Sequence, residues 1–493
     1  MKTKGKALIL GGGIAGLFTA TVLSKHYEEV IITDRDEFPA GPENRSGTPQ
    51  AYHPHRFLAR GKMIVESWFP GITEELLQQG AHPREMKSVK MTNRYGTLEM
   101  PDEPNAGCSR SLFEWTLRNR VIQMPNVTLL PKLAAQELLH DADRNAVTGV
   151  VFRDKNVRES TLVQINANLV VDASGRGSKL ADWLQNLGYA VPEAEKLHVS
   201  LGYSTRHYRV PEEIQAVWST ILNDGDPSLG IGTAVFNPIE NQIAEVVLYR
   251  AGGASYPTTD HQLYDQEAQN LFGSTIGDLL QQLEPISSPR GYRIEECVRQ
   301  HFEQMEDWPS GLLVLGDAFC SFDPIFGQGM TVAAIQADAL DQYLQSRQNE
   351  VLLEEGFERF ALLKMQSAME PAWWLSTAAD LRWPGVTYEG HLSAQGFSFA
   401  QRLFDLCQEL AYAHNDMAVF EQYMMVTGLF ASPQALFNAE YINSLVNADP
   451  SGKGKAWLHQ VLQEVNLPLE ELLARIIPVF NNEFLPLSMG LPE

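Results

Sequence analysis

The sequence predicts an α/β protein: a doubly wound parallel sheet, an antiparallel sheet inserted into it, and a helical C-terminal region. Three observations lead there. The chain opens on an apolar strand, a glycine turn, a helix and a second strand in immediate succession. Two later apolar strands, Asn168-Leu169-Val170-Val171-Asp172 and Leu312-Leu313-Val314-Leu315-Gly316-Asp317, each deliver an acid at the carboxyl end and run through a turn into a helical pattern. Alternating extended segments fill residues 197–250, and beyond residue 350 the apolar spacing is that of helices.

The opening unit carries the most information. Lys6-Ala7-Leu8-Ile9-Leu10 reads as a buried strand, followed by Gly11-Gly12-Gly13-Ile14-Ala15-Gly16, a helix over Leu17–Ser24, and the strand Val30-Ile31-Ile32-Thr33 ending in Asp34-Arg35. Glycines at the first, third and sixth positions with an acid about 20 residues on form the dinucleotide-binding fingerprint. Gly11 permits the tight turn, Gly13 lets a pyrophosphate approach the backbone, and Gly16 lets helix and strand pack closely. The helix N-terminus offers free N–H groups and a positive dipole end to the phosphates, with Ile14 and Ala15 in its first turn. Asp34 is placed to accept hydrogen bonds from an adenosine ribose, with Arg35 beside it.

A polar loop, Phe38–Gln50, leads through Ala51–Gly61 into a helix that reaches Trp68 and closes at Pro70-Gly71. Val89–Met100 reads as strands. Ser109 is an N-cap for the next helix, with Leu112, Trp115 and Ile122 expected on its buried face. Val147–Asp172 is strand-rich, and Ala173-Ser174-Gly175-Arg176-Gly177-Ser178 turns into a helix over Lys179–Leu187. A helical run is expected over His261–Leu283. After Gly316-Asp317 comes Phe322-Asp323-Pro324-Ile325-Phe326-Gly327-Gln328-Gly329-Met330, then a helix from Thr331 to about Leu344. Pro371-Ala372-Trp373-Trp374 reads as core rather than as a cofactor box. The pattern divides the chain into a nucleotide-binding part over 1–85, 105–192 and 291–345, a substrate part over 86–104 and 193–290, and the helical region 346–493.

With 493 residues the chain has room for two or three domains. A formal charge of −23 argues against nucleic acid and against docking on an anionic membrane. The four cysteines, Cys108, Cys297, Cys320 and Cys407, are scattered, so neither disulfides nor a cysteine metal site is expected. Lys2, Lys4 and Lys6 before an apolar stretch could pass for a secretory signal, but the glycines and the charged strand end Asp34-Arg35-Asp36 fit the nucleotide unit instead. No segment approaches the ~18 uninterrupted apolar residues of a membrane span. The expectation is a soluble, cytoplasmic protein.

Taken together, the three strand ends resemble those of the flavoprotein monooxygenases of the aromatic-hydroxylase type, over about residues 5–345. The resemblance implies one FAD on a glutathione-reductase-like Rossmann fold. It implies that Asp317, after Gly316, binds the ribityl chain. Asp172 and its neighbours would touch FAD and a reduced nicotinamide, and Arg110 the pyrophosphate. Pro324, Gly327, Gln328, Gly329 and Met330 would form the turn beside the flavin ring, where a helix dipole stabilises charge on the pyrimidine edge. Gly47-Thr48-Pro49-Gln50 with His53 and His55, Arg60-Gly61, Trp308–Val314 and Asp172–Ser178 look like the bacterial polyketide epoxidases and hydroxylases of the monensin and lasalocid type.

The expected activity is therefore hydroxylation or epoxidation of an apolar small molecule in secondary metabolism, with O2 reacting at reduced FAD to give a flavin hydroperoxide. Such chemistry needs a dry pocket rather than a catalytic side chain, and that pocket is expected near Pro324, Phe326 and His53. NADPH or NADH would bind transiently, since no second glycine fingerprint follows; otherwise a separate flavin reductase supplies the electrons. Arg176 and Lys179 are either solvated or meet the nicotinamide phosphate. His53 and His55 lack companions at metal-ligand spacing, and no metal is expected. Two alternatives share the fold: a flavin-dependent halogenase, whose Trp-x-Trp-x-Ile-Pro motif is absent here, and a flavin-linked double-bond reductase of the geranylgeranyl reductase type.

Overall fold

The computed structural model describes residues 5–156, 161–347 and 356–481. A five-stranded parallel sheet forms its centre, in the spatial order Leu312–Val314, Leu169–Asp172, Lys6–Leu10, Glu29–Thr33, Val127–Leu130. The register decides where function can lie. Leu10 is level with Thr33 on one side and Asp172 on the other, and Asp172 is level with Val314. The chain therefore turns after Leu10, Thr33, Asp172 and Val314 at one edge of the sheet, which brings the segments carrying Gly11, Asp34, Asp172 and Asp317 together. Crevices at the carboxyl ends of parallel strands are where ligands bind in such sheets.

The helix Ile14–Leu23 is buried along nearly its whole length, because it lies between the sheet and the helix Gly329–Ser346. Its sequence is apolar on all sides, as a helix covered on both faces must be. It starts at Ile14 rather than Leu17, directly on the glycine turn. The helix Arg110–Ile122 corrects one expectation: Ile122 is 45 % exposed, while Phe113, Leu117 and Val121 form the inward stripe at four-residue spacing. Trp115 lies half-buried, its indole N–H donating to the Ala40 carbonyl at 2.8 Å.

Leu133–Asp141, Ala146–Asp154 and Thr161–Asn166 form a separate three-stranded antiparallel sheet. The largest sheet has nine strands and is built around the long strand Glu195–Arg209, which pairs with Ile243–Arg250 and Arg290–Arg299. It is mixed rather than purely antiparallel: Ser88–Asn93 runs parallel to Trp218–Asn223. A parallel pair needs a long crossover, and the chain between 93 and 218 supplies one by returning through the parallel-sheet domain. The helical run expected over His261–Leu283 is two short helices, Tyr264–Gln269 and Thr275–Leu280. Between them Gly273, at φ +67°, breaks the helix.

The C-terminal region is helical and begins with Phe357–Asp380. Trp373 and Trp374 are fully buried, and Trp374 packs on Phe397, Phe437 and Phe480 with ring centroids 6.2, 4.9 and 5.6 Å away. The short strand Thr387–Glu389 leaves this region to join the large sheet beside Glu195–Arg209. Among the described residues no helix is long and apolar enough to cross a membrane.

Candidate cofactor site

Gly11 adopts φ +105°, and a Cβ there would lie 2.5 Å from the Ala173 carbonyl oxygen, so the turn closes against the third strand end. At Gly16 a Cβ would meet the Gly11 carbonyl at 1.8 Å, which shows how tightly helix and turn pack. Gly13 differs. A Cβ at Gly13 would find open space bordered only by guanidinium tips, Arg45 Nη2 at 3.6 Å and Arg110 Nη2 at 4.0 Å. Backbone that ligand atoms can approach, flanked by two cations at a helix N-terminus, fits a pyrophosphate.

Those two arginines are locked in place by buried carboxylates. Glu114, one turn along the helix from Arg110, accepts from Arg110 Nη1 at 2.6 Å and from Arg45 Nε at 2.9 Å. Burial opposes ionisation of Glu114, but the charges of Arg110 and Arg45 outweigh it and hold the carboxyl below its ordinary range. Arg45 also reaches Asp36 at 2.8 Å and Asp34 at 3.3 Å. Asp34 accepts the Gly12 N–H at 2.8 Å and the Asp36 N–H at 2.9 Å, which fixes its carboxylate under the glycine turn. Arg35 is exposed, and its carbonyl accepts from Lys155 at 3.2 Å. The sequence reading missed Arg45; the signal available was an arginine followed by a small-residue turn, Arg45-Ser46-Gly47, in the polar loop.

Asp172 corrects an expectation. It is fully buried, with Oδ1 accepting from Ser174 N–H at 2.9 Å and Oδ2 from Ser178 Oγ at 2.6 Å. Its carboxylate is used up in holding the turn that meets Gly11, so it shapes the site without facing a ligand. Arg176, on that turn, donates to the Phe322 carbonyl and lies 3.7 Å from Asp317. It bridges two strand ends and is not freely solvated.

Asp317 points into the cleft, 39 % of its side chain exposed there. Desolvation by the cleft walls raises its carboxyl above the ordinary range, offset in part by Arg176 and Arg110. Gly316 closely approaches Ala15, and its N–H donates to Gln336 Oε1 at 2.8 Å, tying this strand end to the helix Gly329–Ser346. Asp323 Oδ1 accepts from the Ile325 N–H at 2.9 Å and starts the Pro324–Phe326 turn. Pro324 is exposed, Phe326 and Met330 are half-buried, and Gly327 takes φ +63° with Arg56 pressed against it. Gln328 is buried with its Oε1 unpaired, and the helix begins at Gly329, two residues before the expected Thr331. A Cβ on Gly329 would be 3.8 Å from Asp317 Oδ1, so the helix N-terminus and the ribityl-binding candidate are adjacent.

His53 lies across the cleft in an aromatic wall. Its Nδ1 is 2.8 Å from Thr205 Oγ1, and its ring stands edge-on to Tyr203 at 4.5 Å and near Tyr292 at 5.9 Å. Burial and the neighbouring His55 push its pKa down to about 3, so it is neutral. His55 is likewise pushed to about 3 by burial and Arg110. The group of potential metal ligands that converges among the described residues lies elsewhere: Glu195, His301 and His391. There His301 pairs with Glu195 at 3.2 Å and Glu303 at 2.9 Å, which raises it to about 9 against the effect of burial.

Comparison with known proteins agrees with this geometry. Residues 7–197 match the family model of the FAD dependent oxidoreductases. Protein Rv3254 of Mycobacterium tuberculosis is 28 % identical over 409 residues, covering 78 % of this chain and 82 % of its own. Among solved structures, the flavin-dependent brominase Bmp2 superposes with a TM-score of 0.61 at 13 % identity, covering 93 % of this chain and 98 % of its own. The p-nitrophenol 4-monooxygenase PnpA of Pseudomonas putida gives 0.58 at 13 % identity, covering 87 % and 99 %. The glycine cradle, its paired arginines and the Asp317 strand end lie within or beside the segment that matches the FAD dependent oxidoreductases, and the chain shares its fold with the brominase Bmp2 and the monooxygenase PnpA.

Proposed function

We propose that the protein is an FAD-dependent monooxygenase that inserts one oxygen atom of O2 into a largely apolar small molecule, by hydroxylation or epoxidation. The observation that carries this reading is a wall of His53, Tyr203 and Tyr292 whose histidine stays uncharged, with Tyr203 feeling the charges of Arg176 and of Asp323, the residue that starts the Pro324–Phe326 turn. A neutral, aromatic wall beside the flavin turn excludes water and gives an apolar substrate a face to lie on. FAD, when bound, supplies electron transfer from a reduced nicotinamide to O2; the residues supply everything else. Arg45 and Arg110 hold the pyrophosphate, Asp317 the ribityl hydroxyls, and the N-terminus of the helix Gly329–Ser346 favours negative charge where the ring sits. NADPH or NADH is the proposed reductant, directly or through a separate flavin reductase.

Halogenation is the second reading, favoured by the likeness to brominase Bmp2 along nearly its whole length. One experiment separates the two. The FAD-loaded protein is incubated with candidate apolar metabolites, reductant, bromide and ¹⁸O2, and the products are read by mass spectrometry. One labelled oxygen in the product supports the monooxygenase. A brominated product replaces that reading with the second, and a product reduced by two hydrogens replaces it with a double-bond reductase.

A further inference from the structure

Opposite the aromatic wall, the same cleft carries a group of positive charges that the cofactor site does not use. Arg56 is pressed against the flavin turn: a Cβ on Gly327 would lie 2.4 Å from Arg56 Cβ. From there its exposed side chain extends toward the substrate sheet, where Arg84, Asp102 and Tyr249 are its electrostatic neighbours. Lys62 lies on the helix Ala59–Trp68, one turn beyond the loop that carries Arg56, and is half-buried. Arg84 is anchored on the large sheet, donating to Thr220 Oγ1 at 2.9 Å and Asn237 Oδ1 at 2.8 Å, and its Nε is buried without a partner.

The charge count is unbalanced. The groups facing Lys62 are Arg84, Cys108, Asp102 and Arg56. Cys108 is pushed up to about 12 by burial and is neutral. Asp102 is the one anion among these four, 3.8 Å from Arg84; of the two further acids facing Cys108, Glu240 is committed to Ser109 and burial raises Glu245. Neither Arg56 nor the Lys62 amine makes a side-chain hydrogen bond or ion pair among the described residues. Burial first, and then Arg84, lower the Lys62 amine to about 7. Placing unpaired cations together in a low-dielectric cleft is costly unless an anion joins them.

We propose that Arg56, Lys62 and Arg84 form a seat for the carboxylate of the substrate, which anchors an otherwise apolar molecule with its body along the aromatic wall beside the flavin turn. The inference rests on the reading that this cleft takes the substrate, and it adds the substrate's chemical class: an organic acid. Arg56 starts from the flavin turn and reaches toward the sheet that holds Arg84, so the carboxylate end lies toward that sheet and the rest of the molecule extends from it.

The test is binding without turnover, so it does not depend on oxygen transfer. The oxidised FAD-loaded protein is titrated by calorimetry with octanoate against octanamide and benzoate against benzamide. At least one acid is expected to bind saturably and about tenfold more tightly than its amide, the scale of a charge-assisted hydrogen bond. Lys62→Met should weaken that acid about tenfold and Arg84→Gln by a similar factor, with flavin content kept as the control for folding. The acid's affinity should fall as pH rises through about 7 and on, as the amine discharges. Lys62→Arg should restore affinity and abolish that pH dependence. Equal binding of acid and amide, no saturable binding of either acid, or unchanged affinity in both variants would overturn the proposal. So would saturable binding of NADP⁺ and inorganic phosphate that Arg84→Gln weakens, with no binding of either carboxylate, which would assign the charges to the reductant. In each case the oxygen-transfer reading would stand or fall separately, on the isotope experiment.

Discussion

Two carboxyls next to the flavin turn behave in opposite ways, and the difference is what each can reach. Asp317 opens into the cleft, where ribityl hydroxyls can donate to it. Asp317→Ala is expected to give folded protein that binds FAD about 10- to 100-fold more weakly, the range for losing hydrogen bonds to a charged group. Flavin absorbance after gel filtration measures this, and undiminished flavin content would refute the assigned role. Asp323 is 1 % exposed and meets Asp380, which is fully buried. Burial raises both; Asp323 reaches about 6, and Asp380, raised further by the Asp323 charge, keeps its proton. A carboxyl raised in the folded state holds a proton that the unfolded chain releases. The pair therefore costs nothing below about pH 4, destabilises by about 2.7 kcal/mol per pH unit from there to about pH 6 while both protons are held, and by about 1.4 kcal/mol per unit above that while Asp380 alone holds its own. Asp380→Asn places a donor beside Asp323 and removes one titration. Its melting temperature should fall less steeply between about pH 4 and 7 than that of the parent; parallel curves would count against the retained proton.

At the scale of elements, a polar knot helps fasten the helical C-terminal region to the large sheet, together with the strand Thr387–Glu389 and the Arg94–Asp405 ion pair. Glu195, on the long sheet strand, accepts from Trp373 Nε1 at 2.7 Å, from Tyr388 OH at 2.9 Å and from His301 at 3.2 Å. Burial works against its charge, but the His301 bond and the Arg299 charge prevail and bring it down to about 2. The Glu195 contribution is present above about pH 4.5 and lost as pH falls through about 2. The His301 contribution is present below about pH 6.5 and lost as pH rises through about 9. Glu195→Gln removes one buried anion from Arg299 and His301, leaving His301 only Glu303 at 2.9 Å and Arg299 only Glu370 at 3.5 Å. It should cost about 3–5 kcal/mol, with the largest effect between about pH 4.5 and 6.5. Thermal melts across pH test this, and a loss that is independent of pH would mean that Glu195 acts only through packing.

Taken whole, the molecule shares one continuous apolar core between the parallel sheet, the helix Gly329–Ser346 and the C-terminal helices. Flavin binding should therefore stabilise the assembly as a unit. At free FAD 100 times its dissociation constant the added stability is about 2.7 kcal/mol. Scanning calorimetry of FAD-stripped and reloaded protein should show the C-terminal tryptophans, followed by fluorescence, melting together with the flavin domain in both forms. Two separate transitions, only one of them moved by FAD, would refute a common core.

The fingerprint, the Gly316-Asp317 strand end and the Phe326–Met330 turn could be read from the chain because each is local: glycines, an acid and an apolar strand within a few residues. Their convergence also followed from sequence, since parallel strands in one sheet present their carboxyl ends on one edge. The burial of Trp373 and Trp374 was legible from composition for the same reason, as large apolar residues at helical spacing. What sequence could not give was partner choice over distance. Asp172 looked like a ligand and is consumed by its own turn; Arg45 looked like a loop residue and stands over Gly13. Ser88–Asn93 pairs in parallel with a strand 130 residues later, and Arg56, Lys62 and Arg84 come from three separate segments to share one cleft. Chain order determined which residues carry chemistry, because that depends on side-chain type and local backbone. Tertiary structure decided which of them are free to use it, because a buried polar group is committed to whichever partner the fold brings within reach.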